Sequence, residues 1–178
     1  MKRTKKQTAM FVIGLLMMLA GLSILGFYGG RRILRDIHRN QLMKENMVIS
    51  IPELHIKAPV LEGTDNEVLK QAVGHFPETG TPGHGNCCIA GHSSAIYKEY
   101  FNAIKNVEMG MTIYLYDVSK TEYAYRVTEY HIVEPNEVWV LNDFGDDRVT
   151  IVTCTDDGTQ RQIVVGQLNT AEDTTAAS

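Results

Sequence analysis

Three residue types that together can move an acyl group lie in two short stretches of this chain. Val149–Val165 reads Val-Thr-Ile-Val-Thr-Cys, then Thr-Asp-Asp-Gly-Thr-Gln, then Arg-Gln-Ile-Val-Val. The β-branched runs and the Asp-Asp-Gly turn predict a strand ending in Cys154, a short loop, and a second strand opening with Arg161. Side chains alternate along a strand, so Thr150, Val152 and Cys154 share one face, and Arg161, Ile163 and Val165 share a face of the next strand. A hairpin then sets the thiol and the guanidinium at the same end of neighbouring strands. A thiolate can attack a carbonyl carbon, and a guanidinium can stabilise the oxyanion that forms. A proton-transfer group is missing from this stretch. The best candidate is His92, far upstream in Ile-Ala-Gly-His-Ser, at the end of the strand-like run Asn86–Gly91. His75 and His84, which flank a Pro/Gly-rich loop, are its serious rivals.

The other two cysteines, Cys87 and Cys88, invite a metal reading with His92. In a strand, neighbours point to opposite faces and positions four apart are separated by about 13 Å. Cys88 and His92 therefore cannot share an ion if this run is a strand, and core packing is the expected role of the pair. Three cysteines are too few for a disulfide framework. A disulfide between Cys154 and either upstream cysteine stays open at this stage, and it would silence the thiol.

The elements that must position these groups are mostly short strands. Met47–Ile51 and Leu54–Ala58 read as strands around Pro52. Thr64-Asp65-Asn66-Glu67 fits a capping box with Thr64 as the cap, opening a helix through Val73 that Gly74 stops. His75–Gly85 reads as loop. Ala95–Ile104 reads as a second short helix. Thr112–Val118, Tyr123–Val133 and Val138–Leu141 read as strands. Many short strands with two short helices predict a mainly β domain, a barrel or a sandwich.

Charge is unevenly spread. Residues 1–46 hold nine Lys/Arg against two Asp/Glu, and residues 47–178 hold eight against nineteen. An acidic main domain argues against nucleic acid as a partner, because phosphates need a basic face. Lys2, Arg3, Lys5 and Lys6 precede Ala9–Tyr28, twenty residues with Ser23 as the only strongly polar one. Twenty helical residues span a hydrocarbon core of about 30 Å. The run exceeds the usual signal-peptide apolar segment, which favours a retained anchor. The expected organisation is a basic cytoplasmic tail over 1–8, a transmembrane signal anchor over 9–29, a basic juxtamembrane stalk over 30–46, a main domain over 47–168, and a disordered tail over 169–178. Arg31–Lys44 continues either as a helix against anionic lipid headgroups or as a solvated stalk.

Ala90-Gly91-His92, Thr150-Ile151-Val152-Thr153-Cys154 and Arg161, in this order after a membrane segment, resemble the three catalytic segments of the sortases, the Gram-positive surface cysteine transpeptidases. The resemblance continues through Gly74-His75-Phe76-Pro77-Glu78-Thr79, Gly85-Asn86 and Val133-Glu134-Pro135, and covers most of 47–168. It is greatest for class D, with class A next. It implies an eight-stranded sortase-type β-barrel. It implies His92, Cys154 and Arg161 as the catalytic residues, with His92 protonating the leaving amine. It places Glu134–Asp147 beside a substrate groove, with Thr153, Pro135, Val138, Trp139 and Leu141 as substrate-binding residues. For Trp139 a core position is the equal alternative. The implied partners are exported proteins with a Leu-Pro-x-Thr-Gly-like (LPXTG-like) C-terminal signal, a lipid-linked cell-wall precursor amine, and the membrane, with the catalytic domain extracellular. No metal or organic cofactor is required by that chemistry. A pilus-assembling or hydrolytic enzyme with the same residues is the alternative, as is a non-enzymatic membrane-tethered binding module. Phe76-Pro77-Glu78-Thr79-Gly80 itself resembles a sorting motif, and is expected to be a structural loop.

Overall fold

The computed structural model describes residues 5–93 and 100–169. The chain divides into two units, Met1–Gln41 and Leu42–Ser178. The described residues of the first belong to a single helix, α1 (Lys5–Glu45). The stretch Ile13–Glu45 within it has a mean hydropathy of 1.8 in its most apolar window, and is long and apolar enough to cross a membrane.

The second unit is a closed barrel of eight strands: β1 (Met47–Ile51), β2 (Ile56–Glu62), β3 (Val73–His75), β4 (Asn86–Ala90), β5 (Thr112–Tyr116), β6 (Glu122–Val133), β7 (Arg148–Cys154) and β8 (Arg161–Leu168). Around the barrel they run β1-β2-β3-β4-β7-β8-β6-β5. Two neighbouring pairs are parallel, β2 with β3 and β4 with β7. The remaining pairs are antiparallel. Closure leaves no free sheet edge.

Strand alternation fills the inside. Ile49, Ile51, Ala58, Ile89, Ile113, Leu115, Tyr125, Val149, Ile151 and Val164 form the main core cluster. Each such aliphatic side chain contributes roughly 1.5–3 kcal/mol by leaving water. The outward faces of β6, β7 and β8 carry a second layer, in which Val133, Val140, Ile163 and Val165 pack with Leu141 and Val152. Strand β4 is buried on both faces, as a parallel strand covered from both sides should be. At the chain entry, the Lys120 ammonium donates to the carbonyl oxygens of Met43 and Asn46, both at 2.8 Å.

Several local expectations shift. The cap of the short helix α2 (Asn66–Leu69) is Asp65, not Thr64: its carboxylate accepts from the N–H groups of Glu67 at 2.8 Å and Val68 at 3.1 Å. One carboxylate oxygen there meets two helix N–H groups and the positive end of the helix dipole. Val73–His75 is a strand rather than the end of that helix. Gly74 sits where an added Cβ would lie 2.1 Å from the carbonyl oxygen of Gly63, so this glycine serves close strand approach and not helix termination. Leu54 falls in a 3-10 turn, Pro52–Leu54, and β2 begins at Ile56 and runs on to Glu62. Trp139–Leu141 is a 3-10 turn and not a strand. The first half of the helix expected over 95–104 lies outside the described residues; the second half is turn, leading into the 3-10 turn Ile104–Asn106. The expected disordered tail also lies outside the described residues, apart from Asn169.

Asp65→Ala is expected to lower unfolding stability by about 1 kcal/mol, and Thr64→Ala by close to zero. Urea titration of the detergent-solubilised protein, followed by circular dichroism, checks this. Equal effects would restore Thr64 as the cap.

Candidate active site

The parallel pairing of β4 with β7 brings distant parts of the sequence to one end of the barrel. The register runs from Asn86 opposite Arg148 to Ala90 opposite Val152. It is prolonged past both strands: the Gly91 N–H donates to the Val152 carbonyl at 3.1 Å, and the Thr153 hydroxyl donates to the Gly91 carbonyl at 2.8 Å. His92 and Cys154 are the next residues on the two tied chains. Strand β8 runs antiparallel to β7, with Cys154 directly opposite Arg161, and Arg161 is flanked on its other side by Val133 of β6. All three predicted catalytic residues therefore emerge at one barrel end, and each is half-buried.

Gly91 is dictated by packing. A Cβ there would lie 2.4 Å from the ring of Phe101, which is fully buried. The Phe101 N–H also donates to the His92 carbonyl at 3.3 Å. The backbone that presents His92 is thus held by the strand partner on one side and an aromatic ring on the other.

The loop after Cys154 is tied to itself. The Asp157 carboxylate accepts from the Thr155 hydroxyl at 2.5 Å and from the Thr159 N–H and hydroxyl at 3.1 and 2.9 Å. The Thr155 hydroxyl, followed by the Thr159 N–H and hydroxyl, holds the Asp157 carboxyl below its usual range. Asp156 pairs with Lys105 at 2.8 Å. Both acids next to the thiol are thereby engaged away from it. Arg161 gives one N–H to the Gln160 carbonyl at 3.2 Å, one of the five donors a guanidinium carries.

The wall beside this end is the segment between β6 and β7. A single buried amide fastens it: the Asn86 side chain donates to the Val140 carbonyl at 2.9 Å and the Asn142 carbonyl at 2.8 Å, and accepts from the Thr150 hydroxyl at 2.7 Å. Val140 is buried beneath the turn, while Val138 and Trp139 are 67% and 45% exposed. Trp139 is accordingly not a core aromatic. It meets His131 and Phe144 edge-on, with ring centroids 6.1 and 6.4 Å apart. The Arg148 guanidinium lies 4.3 Å from the Phe144 ring centroid and forks onto Asp146, whose carboxyl it holds below the usual range. A cavity of about 220 Å³ opens between Trp139, Phe144, His131, Ile163 and Val165. A second, of about 400 Å³, lies between Phe76–Thr79 and Leu141.

The expected substrate-binding residues divide. Pro135, Val138 and Trp139 are exposed on the wall, and Leu141 is half-buried. Thr153 is 2% exposed, with its hydroxyl committed to Gly91. Its side chain is thus turned to the backbone that leads into His92. Sequence reasoning assigns no site role to Asn86, Val133, Val140, Val152 or Ile163: alternation sets Val152 and Ile163 on the correct faces, and Asn86 and Val133 stand within the family-like Gly85-Asn86 and Val133-Glu134-Pro135, but nothing local shows what their side chains hold.

The rival groups are tied elsewhere. His75 is buried, with Nδ1 2.9 Å from a Glu62 carboxylate oxygen and Nε2 2.8 Å from the Gly80 carbonyl. His84 closes a tight turn with Thr81 just before β4, at the strand's far end from His92. Cys87 points into the barrel core, and burial pushes its thiol up to about 12. Burial likewise pushes Cys88 up to about 12. Cys88 stands opposite Thr150, four residues or about 13 Å before Cys154, so neither cysteine reaches Cys154 for a disulfide. The motif-like segment is folded shut. The Thr79 N–H and hydroxyl both donate to the Phe76 carbonyl, at 3.1 and 2.8 Å, and the Gly80 N–H donates to Asn86 O at 2.8 Å.

Comparison with known proteins agrees with this geometry. Residues 49–169 match the sortase domain family. The chain is 32% identical over 139 residues to sortase A of Bacillus anthracis, covering 76% of this chain and 66% of the relative. It is 35% identical over 136 residues to sortase A of Streptococcus agalactiae, covering 72% and 55%. The matches thus span little more than half to two-thirds of these curated relatives. A sortase D5 transpeptidase from Clostridium perfringens superposes with a TM-score of 0.65 at 32% identity, covering 71% of this chain and 79% of that structure. Similarity is shared between proteins named sortase A and sortase D. The barrel order, the three residues at its end and the match over 49–169 lead to one conclusion: this chain belongs to the sortase family.

Proposed function

We propose that this protein is a membrane-anchored cysteine transpeptidase that cleaves an LPXTG-like sorting signal between Thr and Gly and joins the freed carboxyl group to a cell-wall amine. The observation that carries the reading is the meeting of Cys154, Arg161 and the His92 segment at one barrel end through the β4–β7–β8 register. The family membership and the similarity to a sortase D5 transpeptidase support it. Residues 9–29 would hold the chain in the membrane, with 47–168 extracellular and 30–46 between them.

The Cys154 thiolate attacks the threonine carbonyl carbon, and the carbonyl π electrons move onto oxygen. Arg161 donates hydrogen bonds to that oxyanion. Collapse of the tetrahedral intermediate breaks the Thr–Gly C–N bond, and His92 gives the departing amine its proton. The acceptor amine then attacks the carbonyl carbon of the resulting thioester, the now neutral His92 takes the proton that this amine loses, and collapse breaks the C–S bond to release the Cys154 thiolate. The energy of the peptide bond is conserved in the thioester, so no metal or organic cofactor enters the sequence. Pro135, Val138, Trp139 and Leu141 offer apolar surface for the Leu-Pro part of the signal. Thr153 acts by holding Gly91, and through it the position of His92.

Incubation with a set of Leu-Pro-x-Thr-Gly peptides and hydroxylamine, read by mass spectrometry, tests this. Wild type should give the threonine hydroxamate, and Cys154→Ala none. His92→Ala is expected to lose about 10²–10⁴-fold in rate. Arg161→Lys should lose about 10²–10³-fold, because an ammonium lacks the planar fork. His75→Ala should cost about 1–3 kcal/mol of stability and leave acyl transfer intact. Loss of transfer in His75→Ala, with His92→Ala active, would reverse the assignment. A free carboxylate in place of the hydroxamate would make the protein a hydrolase.

Burial of Cys87 and Cys88 gives a second expectation. With both thiols raised to about 12, they stay protonated and shielded at pH 8. Iodoacetamide should then label only Cys154 in the folded protein, and all three cysteines after unfolding in guanidinium. Native labelling of Cys88, mapped by peptide mass spectrometry, would show that the Asn86-fastened wall opens.

A further inference from the structure

Helix α1 does not end with its apolar segment. It runs unbroken from Lys5 to Glu45, so the basic stretch after Tyr28 keeps helical spacing. At about 100° per residue, Arg31, Arg32, Arg35, His38 and Arg39 fall within an arc of about 120°. Asp36, the one acidic residue between them, falls outside it. Ile33, Leu34 and Ile37 occupy a second arc of about 100° on the other side, and are 61%, 67% and 57% exposed.

The sequence left this segment as either a solvated stalk or a lipid-facing helix. The two arcs decide between them. A stalk in water gains nothing from sorting its charges onto one side, and is destabilised by three large apolar residues in a row on the other. At a membrane surface each arc has its own surroundings: cations among headgroup phosphates, apolar side chains at the acyl boundary. The position along the axis agrees. Arg31 to Arg39 spans about 12 Å at 1.5 Å per residue. At a tilt of about 20–40° this length rises about 9–11 Å along the bilayer normal, and arginine side chains that reach back along the helix bring the outer charges toward a headgroup layer of about 5–7 Å. The lower edge is marked as well. The Arg31 guanidinium lies 5.3 Å from the Phe27 ring centroid, and Phe27 packs edge-on against Tyr28 at 5.6 Å. An aromatic pair followed, after two glycines, by arginines is the composition of a membrane–water boundary.

We propose that Arg31, Arg32, Arg35 and Arg39 form a binding site for the phosphate headgroups of anionic phospholipids. Guanidinium groups suit this ligand because their fork matches two phosphate oxygens. The apolar arc leans toward the acyl boundary, so the site fixes the rotation and tilt with which α1 leaves the bilayer. This inference rests on the membrane-anchored reading above.

The test uses the full chain in nanodiscs of phosphatidylcholine and phosphatidylglycerol at 3:1, followed by mild detergent extraction and native mass spectrometry of retained lipid. Wild type should retain phosphatidylglycerol at least about threefold above its bulk share, and R31Q/R32Q/R35Q/R39Q at its bulk share. K2Q/R3Q/K5Q/K6Q, which strips the basic cluster at the other end of the apolar run, should keep the enrichment. Wild-type retention at the bulk ratio, or enrichment unchanged in the arginine variant, overturns the site. A crosslinked dimer of Ile37→Cys would overturn it in favour of a second copy on the apolar arc. Carbonate extraction separates the underlying reading: protein released to the supernatant defeats the anchor itself, whereas protein in the pellet with no lipid preference defeats only the arginine site.

Discussion

The parallel ladder between β4 and β7, and its extension by Thr153 onto Gly91, is the constraint on which the site depends. Parallel strands point their C-terminal ends the same way, so residues that follow them arrive together. Thr153 adds one buried side-chain hydrogen bond just where the ladder would fray. With its partner buried, that bond costs far more to lose than its modest net value suggests. The consequence is that His92 and Cys154, sixty-two positions apart in sequence, leave the barrel from adjacent tied chains. The β7–β8 hairpin then adds Arg161 by purely local means.

Around this frame the barrel is layered. Side chains of one parity fill the interior, and those of the other parity form an outer apolar floor of Val133, Val152, Ile163 and Val165. The floor is covered by the β6–β7 segment, and Asn86 is what holds the cover. Its amide satisfies two carbonyls of a short turn that otherwise have no strand to pair with. A buried amide with every bond made can fix one geometry in a way that apolar contacts do not. The exposed Trp139, packed against His131 and Phe144, sits on a wall whose height is set from the barrel side.

Charge follows the same division. Beside Cys154, the two acids are bound to Lys105 and to loop hydroxyls. The buried cysteines are kept as neutral thiols by desolvation, which leaves Cys154 as the one half-buried thiol. The basic charge of the chain is concentrated before residue 47, on both sides of the apolar run of α1.

What the sequence by itself determined was whatever repeats within a few residues. Alternation placed Cys154, Val152 and Thr150 on one face and Arg161, Ile163 and Val165 on one face of the next strand, and the Asp-Asp-Gly turn made their hairpin. The twenty-residue apolar run identified the long helix. Three motifs in order were enough to point to a barrel. What only the tertiary structure decided were matters of partner choice. The Thr64-x-x-Glu67 pattern and Asp65 compete for the same helix N–H groups, and a carboxylate reaching two of them prevails. Val73–His75 follows helical residues, yet pairs with β2 and β4 because Gly74 lets the backbones approach. Val138–Leu141 has strand composition, but the Val138 and Trp139 carbonyls accept from Leu141 and Asn142 within the turn, and the Val140 carbonyl is taken by Asn86, fifty-four residues upstream. Period and turn chemistry are written into each local window. Hydrogen-bond partners across the barrel are fixed only when closure brings competing donors and acceptors within reach.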